Sequence, residues 1–465
     1  MSDQQYDFGL VGLGVMGRNF ILNVADHGFS AYGLDTSDEM LARLKEEGAG
    51  KPVSGTTEVA EFAARLSSPR KIMLLVPAGK IVDNVIADLL PHLDEGDIII
   101  DGGNSFFPDT DRRFKELAEK GIHFFGTGVS GGAEGARLGP SIMVGGNATH
   151  YEHVRPIFEA VSAKVGDDAC VAHVGNGSSG HYVKMVHNGI EYALMQLIAE
   201  AYDMMKYGLG MTNLGISEKF GEWNEGRLQS FLMEITSEIF LKRDELTGKD
   251  LIDVISDKAK QKGTGKWISQ NAMDLGTPIP AIDASVSMRA ISSFKDERAR
   301  AAELYPKSQW DPTMITIEEL EDAVYFGFII TFAQGMKQLA EASVKYEYGL
   351  NLENIASIWR GGCIIRAKLL ETITDAYGKD AALTHLLFHG QIVEEVNGLW
   401  SSVNKVVDVA LNAGISVAGL SASANYFNAF RSEKLPLNLI QAQRDYFGSH
   451  TYERTDREGH FHTEW

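Results

Sequence analysis

In "KMVHNGIEY", residues 184 to 192, four polar side chains fall where a helix would gather them: Lys184, His187, Asn188 and Glu191 stand at i, i+3, i+4 and i+7. A lysine and a carboxylate on one face supply a base and an acid, and the His and Asn between them can orient a polyol. A solvated polar stripe carrying an ion pair fits the same spacing. Met185, Val186, Ile190 and Ala193 supply the apolar opposite side, so the polar face is not expected to be the helix's core contact.

A second constellation lies near the N-terminus. "VGLGVMGRNF" places Gly12, Gly14 and Gly17 in G-x-G-x-x-G spacing, with Leu13, Val15 and Met16 completing the loop. The first glycine permits a tight turn, the second admits a pyrophosphate to the backbone, and the third lets helix and strand pack closely. The phosphate charge then sits on a helix N-terminus. Asp35 follows Gly17 by 18 residues and ends the next apolar run. A carboxylate there accepts hydrogen bonds from the adenosine ribose hydroxyls, which points to NAD. The 2'-phosphate of NADP would meet it as a like charge, costing on the order of several kcal/mol at about 4 Å and an effective dielectric near 20. Thr36 and Ser37 come next, with no basic side chain; any of the three could also cap the following helix.

The elements that must position these groups differ between the two halves. The first 180 residues hold 26 of the 48 glycines and alternate strand candidates with helical stretches such as "MGRNFILNVADHG" and "GKIVDNVIADLL". The strand candidates are "YDFGLVGL", "SAYGLD", "KIMLLV", "DIIID", "IHFFGTGV" and "ACVAHVG". This pattern predicts an α/β domain over residues 1–178, built on a doubly wound, mostly parallel sheet. Beyond it "GHYVKMVHNGIEYALMQLIAEAYDMMKYG", "EGRLQSFLMEITSEIFLKRD", "IEELEDAVYFGFIITFAQGMKQLAEASVKYEYG" and "LWSSVNKVVDVALNAG" predict a large all-α domain over 179–435. The glycine-rich "GNGSSG" marks the junction. Residues 436–465 turn aromatic and polar, as expected of a tail that docks on a partner subunit.

Composition narrows the partners. The 465 residues carry a formal charge of -20, which opposes attraction to nucleic acid or an anionic membrane, so an anionic ligand needs a local cluster of Lys and Arg. Two cysteines, Cys170 and Cys363, have no ligand spacing and read as buried free thiols. The chain lacks a long uninterrupted apolar run and a secretion-like N-terminus, so a cytoplasmic location is expected.

Further motifs follow in order: "DGGNS" at 101, "GVSGGAEGARLGPS" at 128, "VKMVHNGIEY" at 183, "QKGTGKW" at 261, "WRGGCIIR" at 359 and "QAQRDYFGSHTYER" at 441. Together, across essentially the whole chain, they resemble the decarboxylating 6-phosphogluconate dehydrogenases. The resemblance implies a Rossmann domain, a helical domain and a tail threading into the other subunit of a homodimer. It implies that Lys184 takes the 3-hydroxyl proton as hydride leaves C3, that the 3-keto acid loses carbon dioxide without a metal, and that Glu191 protonates C1 of the enediol to give ribulose 5-phosphate. Asn104, Ser130, Gly131, Gly132, His187 and Asn188 would hold the sugar acid. Tyr192, Lys262, Thr264, Arg289 and, reaching in from the partner subunit, Arg444 and His450 would meet its distal anion. Val76, Pro77, Ala78 and Asn104 would lie beside the cofactor.

Two departures stand out. Where the family usually has Asn-Arg-Thr or Asn-Arg-Ser, this chain has Asp35-Thr36-Ser37, and Pro77 replaces the family's usual lysine. Both changes remove positive charge from the cofactor side, so NAD is the expected cofactor. The expected activity is NAD-preferring oxidative decarboxylation of 6-phosphogluconate. The open alternatives are the same reaction on 6-deoxy-6-sulfogluconate, a simpler β-hydroxyacid dehydrogenase that releases no carbon dioxide, and a non-catalytic NAD-binding regulatory protein.

Overall fold

The computed structural model describes residues 5–261, 263–306 and 310–465. Its first half is built on an eight-stranded sheet: β1 (Phe8–Val11), β2 (Ala31–Leu34), β3 (Val53–Thr56), β4 (Lys71–Leu74), β5 (Ile98–Asp101), β6 (His123–Ser130), β7 (Ser141–Gly145) and β8 (Val171–Gly175). The order across the sheet is β8-β7-β6-β5-β4-β1-β2-β3, and every pair is parallel except β6 with β7. β1 registers Gly9 against Tyr32 on one side and against Ile72 on the other. The chain leaves β1 toward β2 and β3, then returns to β4 on its opposite side, so strand order reverses beside β1. In such sheets ligands bind beyond the carboxyl ends of the strands at that reversal.

The six expected strands are present, and two more were not anticipated. β3 lies at the sheet edge with three of its four residues only partly covered or exposed, so it lacks the apolar run that announces a buried strand. β7 is fully buried but embedded in "GPSIMVGG", where flanking glycines read as loop. β7 joins β6 through one short helix, Gly132–Leu138, and runs antiparallel, a pairing that needs no long crossover.

The second half is helical. Its centre is the helix Ser179–Asp203, which passes into a π-helical turn at Met204–Gly208 and packs against Ile317–Lys345. The expected helix over 225–244 is shorter: only Phe231–Ile239 is α-helical, because Ser230 caps its start through the Met233 N–H at 3.3 Å and Arg243 bridges back to Asp250. Conversely, the helix expected from residue 399 begins at Gly390.

Nor does the central helix keep its polar face in solvent. Lys184 and His187 are buried, and the helix sits against β6 and β7 through glycine contacts. A Cβ on Gly180 would lie 2.1 Å from the Gly126 carbonyl, and one on Gly128 would lie 2.5 Å from Lys184 Cβ. Side chains at either place would force helix and sheet apart. Among the described residues no helix is long and apolar enough to cross a membrane. The last segment forms a helix, Leu437–Gly448, and a short pairing of Tyr452–Glu453 with His460–Phe461.

Candidate active site

The glycine loop joins β1 to the helix Val15–Asp26. Gly12 turns at φ +95°, and its N–H donates to the Leu34 carbonyl at 2.9 Å. A Cβ on Gly17 would lie 1.8 Å from the Gly12 carbonyl, whereas nothing lies within 4 Å of one on Gly14. No side chain caps the helix start, so its N–H groups and the positive end of its dipole face open space at Gly14. That surface fits a pyrophosphate.

Asp35 is anchored beside it: Oδ2 accepts the Leu13 N–H at 2.7 Å and Oδ1 accepts the Ser37 N–H at 3.0 Å. Ser37, rather than Asp35, caps the next helix, its hydroxyl accepting the Met40 N–H at 3.4 Å. Asp35 and Thr36 line a cavity of about 380 Å³ with Gly12, Gly14, Val76 and Pro77; among the described residues the charged side chains around it are Asp35 and Asp88, both acidic. A carboxylate has about four lone-pair positions, so two remain on Asp35 for ribose hydroxyls.

Through Gly14, Val76 and Pro77 this cavity continues into a cleft of about 1020 Å³ between the two halves of the chain. Val15, Met16, Gly17, Ala78 and Asn104 line its sheet side, and Asn188, Glu191, Tyr192, Thr264 and Arg289 its helical side. Lys260, Gln261, Phe106, Asp109, Met195 and Trp267 also line it and were not anticipated. Gln261 opens and Trp267 closes "QKGTGKW", and Lys260 precedes it, so that motif is the one signal in the sequence that could have found these three.

Behind the cleft, Lys184 Nζ donates to Ser130 Oγ at 3.0 Å and lies 3.3 Å from His187 Nδ1; His187 Nε2 is 3.2 Å from the same Ser130 hydroxyl. His187 Nδ1 also meets Asn188 Oδ1 at 3.1 Å. Burial lowers the pKa of Lys184, with the Glu191 charge opposing. Burial raises that of Glu191, with Lys184 and Arg289 opposing. Burial, and then repulsion by Lys184, hold His187 well below its ordinary range. Desolvation thus favours a neutral lysine, a protonated glutamic acid and a neutral imidazole in one place. This is the state in which the lysine can take a proton and the acid can give one.

Gly131 and Gly132 adopt positive φ where β6 turns into the next helix, and a Cβ on Gly131 would lie 2.6 Å from the Gly362 carbonyl, so "GVSGG" and "WRGGC" meet. Arg289 stacks over the Tyr192 ring at 3.5 Å and donates to the Lys260 carbonyl at 3.2 Å. Lys262 lies outside the described residues. Arg444 and His450 are exposed on the C-terminal segment and do not line their own chain's cleft; Arg444 donates to Gln441 Oε1 at 3.1 Å. Cys170 and Cys363 are free and buried.

Comparison with known proteins places this geometry. A model described as the NAD binding domain of 6-phosphogluconate dehydrogenase matches residues 7–175, and one described as the 6-phosphogluconate dehydrogenase C-terminal domain matches residues 180–465. The chain is 50% identical to the Bacillus subtilis (strain 168) protein named "6-phosphogluconate dehydrogenase, NADP(+)-dependent, decarboxylating", over 100% of both. It is 49% identical to the Escherichia coli decarboxylating 6-phosphogluconate dehydrogenase, again over 100% of both. The Plasmodium falciparum 6-phosphogluconate dehydrogenase, whose structures include complexes with NADP+ and with 6-phosphogluconate, superposes with a TM-score of 0.94 at 44% identity, over 99% of this chain and 100% of that one. These relatives are named for 6-phosphogluconate, and the sulfonate alternative finds no support in them. With both halves matched and half of all positions identical to a curated relative, the chain belongs to the decarboxylating 6-phosphogluconate dehydrogenases, oxidoreductases that use a nicotinamide dinucleotide.

Proposed function

We propose that this chain converts 6-phospho-D-gluconate to D-ribulose 5-phosphate and carbon dioxide with NAD in preference to NADP. The observation that carries the cofactor choice is the cavity proposed for the adenosine end, whose charged lining among the described residues is Asp35 and Asp88, with no basic side chain. Asp35 is held by two backbone N–H groups, so it cannot swing aside from a 2'-phosphate without releasing the glycine loop. The Bacillus subtilis relative is named as NADP(+)-dependent; the proposal is that the acid at residue 35 and the threonine at 36 reverse that preference here.

The bound dinucleotide supplies the hydride acceptor. Lys184, whose pKa burial lowers, takes the proton from the 3-hydroxyl, and Ser130 and His187 hold its amine in place. A carbonyl at C3 lies β to the carboxylate, so carbon dioxide can leave while the electron pair of the broken C1–C2 bond passes into C2=C3, and the protonated Lys184 returns its proton to the C3 oxygen to give the enediol. Glu191, whose pKa burial raises, then delivers a proton to C1 of that enediol, the former C2, while Lys184 takes the neighbouring hydroxyl proton as the ketone forms. Asn104, Asn188 and the Gly131–Gly132 backbone position the sugar acid. Tyr192, Thr264 and Arg289 face its phosphate, with Lys262 and, from a second copy of the chain, Arg444 and His450 completing a homodimeric site. In this reading residues 1–178 hold the cofactor and lend Asn104, Gly131 and Gly132 to the substrate, 179–435 supply the rest of the substrate site, and 436–465 serve the partner.

The test is the double variant Asp35→Asn with Thr36→Arg, assayed with both cofactors and 6-phosphogluconate. It should move the kcat/KM ratio toward NADP by about a hundredfold, ~2.7 kcal/mol, less than the Coulomb estimate because the site is partly solvated. An unchanged ratio would place the discrimination elsewhere.

A further inference from the structure

Arg113, in the helix Phe107–Ala118, has a side chain only 2% exposed and divides its fork among three pieces of chain. Nη2 donates to the Gly79 carbonyl at 2.9 Å, Nε to Asp83 Oδ1 at 2.8 Å, and Nη1 to Asp101 Oδ2 at 3.4 Å. Gly79 closes the Val76–Gly79 loop and precedes the helix Lys80–Leu89, which carries Asp83. Asp101 ends β5 and organises the next loop, accepting the Gly103 N–H at 3.1 Å and the Ser105 hydroxyl at 2.6 Å. The two loops joined by this one guanidinium are both walls of the large cleft, one carrying Pro77 and Ala78, the other Asn104.

The same helix reaches the central helix as well. Thr110 Oγ1, one turn before Arg113, lies 2.7 Å from His181 Nδ1, and His181 stands one turn before Lys184. Neutralising Asp83 and Asp101 would not by itself require this arrangement, since a buried ion pair adds little net stability. The planar fork suits it, because three separate nitrogens donate in directions fixed within one plane, whereas a lysine's three donors rotate about a single nitrogen.

We infer that Arg113 is a positioning residue for hydride transfer, holding the Val76–Gly79 loop at a set distance from the Asn104 loop so that the cofactor's reactive ring meets C3 of the sugar acid. This rests on the proposed placement of the nicotinamide end in the cleft. Arg113 touches neither reactant; it acts through Gly79 and Asp101.

The test uses Arg113→Lys in the full chain, with whichever dinucleotide the wild type turns over faster. Three quantities are read: the KM for dinucleotide with kcat, the Kd for 6-phosphogluconate alone, and the primary isotope effect with 3-deuterated substrate. The expected result is a KM for dinucleotide raised about tenfold, kcat lowered about ten- to a hundredfold, a larger isotope effect, and substrate Kd within about twofold. An unchanged isotope effect and dinucleotide KM, or a substrate Kd weakened in step with them, would overturn the assignment. Should Arg113→Lys fail to fold, Asp83→Asn, which loosens one arm of the fork, should shift the same quantities in the same direction, and its silence would equally overturn it. A wild type that prefers NADP would refute the cofactor proposal while leaving this inference standing.

Discussion

Lys184 and Glu191 are two turns apart on one helix, and their spacing was legible in the sequence while their burial was not. The apolar residues opposite them suggested a polar face in water. What covers that face is a strand rich in glycine, and the absence of side chains at Gly126 and Gly128 leaves no hydrophobic pattern to read. Burial lowers the Lys184 pKa and raises that of Glu191, both toward the protonation states that the proposed chemistry needs. Activity should rise with pH as Lys184 loses its proton and fall as Glu191 loses its own. The two limbs are drawn toward each other, and their apparent values belong to the pair. His187, held neutral well below its ordinary range, should contribute no limb near neutrality. Lys184→Met should lower kcat by about 10² to 10⁴ while leaving dinucleotide affinity intact, as measured by turnover and by titration. Glu191→Gln should remove the falling limb from the pH profile. A Met variant with full turnover would contradict the role given to the amine.

At the scale of elements, the strand-turn-helix at the N-terminus was legible because each glycine meets a different demand. Gly17 packs against the Gly12 carbonyl and Gly14 faces open space. Gly17→Ala should therefore cost about 1–3 kcal/mol of stability, seen as a lowered Tm. Gly14→Ala should leave Tm unchanged and raise the dinucleotide KM about tenfold or more, ~1.4 kcal/mol, because its methyl group would occupy the phosphate's place. The reverse pattern would mean that the two glycines have been misassigned. Less legible were β3, too exposed at its edge to show an apolar run, and β7, whose short "SIMVG" sits among glycines that mimic a loop. The overlong helix around residue 231 shows the opposite failure: helical spacing continues on both sides of Phe231–Ile239, but Ser230 caps one end and the Arg243–Asp250 turn closes the other. The loops that Arg113 braces could not be paired from sequence, since 34 residues separate it from Gly79.

For the whole molecule, a charge of -20 must coexist with an anionic substrate, and in the proposed site Arg289 would supply only part of the local cation cluster. Arg444 and His450 stand on a segment that exposes Leu437, Leu439, Ile440, Tyr446 and Phe447, an apolar surface suited to burial against another chain. The sequence offered the tail's composition and motif, but composition cannot say where a tail goes. If the tail serves the partner's cleft, mixing Lys184→Met subunits with Arg444→Ala subunits should restore activity. Random exchange makes half the dimers mixed, each with one intact site, so roughly a quarter of wild-type turnover is expected. No recovery after verified subunit exchange would show that each chain supplies its own Arg444.

The proposed cofactor choice would separate this chain from its NADP-named relative, and it rests on the charge around the cavity that Asp35 and Asp88 line. The most direct measurement is kcat/KM for NAD and for NADP with saturating 6-phosphogluconate at one ionic strength. The account predicts at least a preference of about a hundredfold for NAD, ~2.7 kcal/mol. Equal or better use of NADP would contradict it.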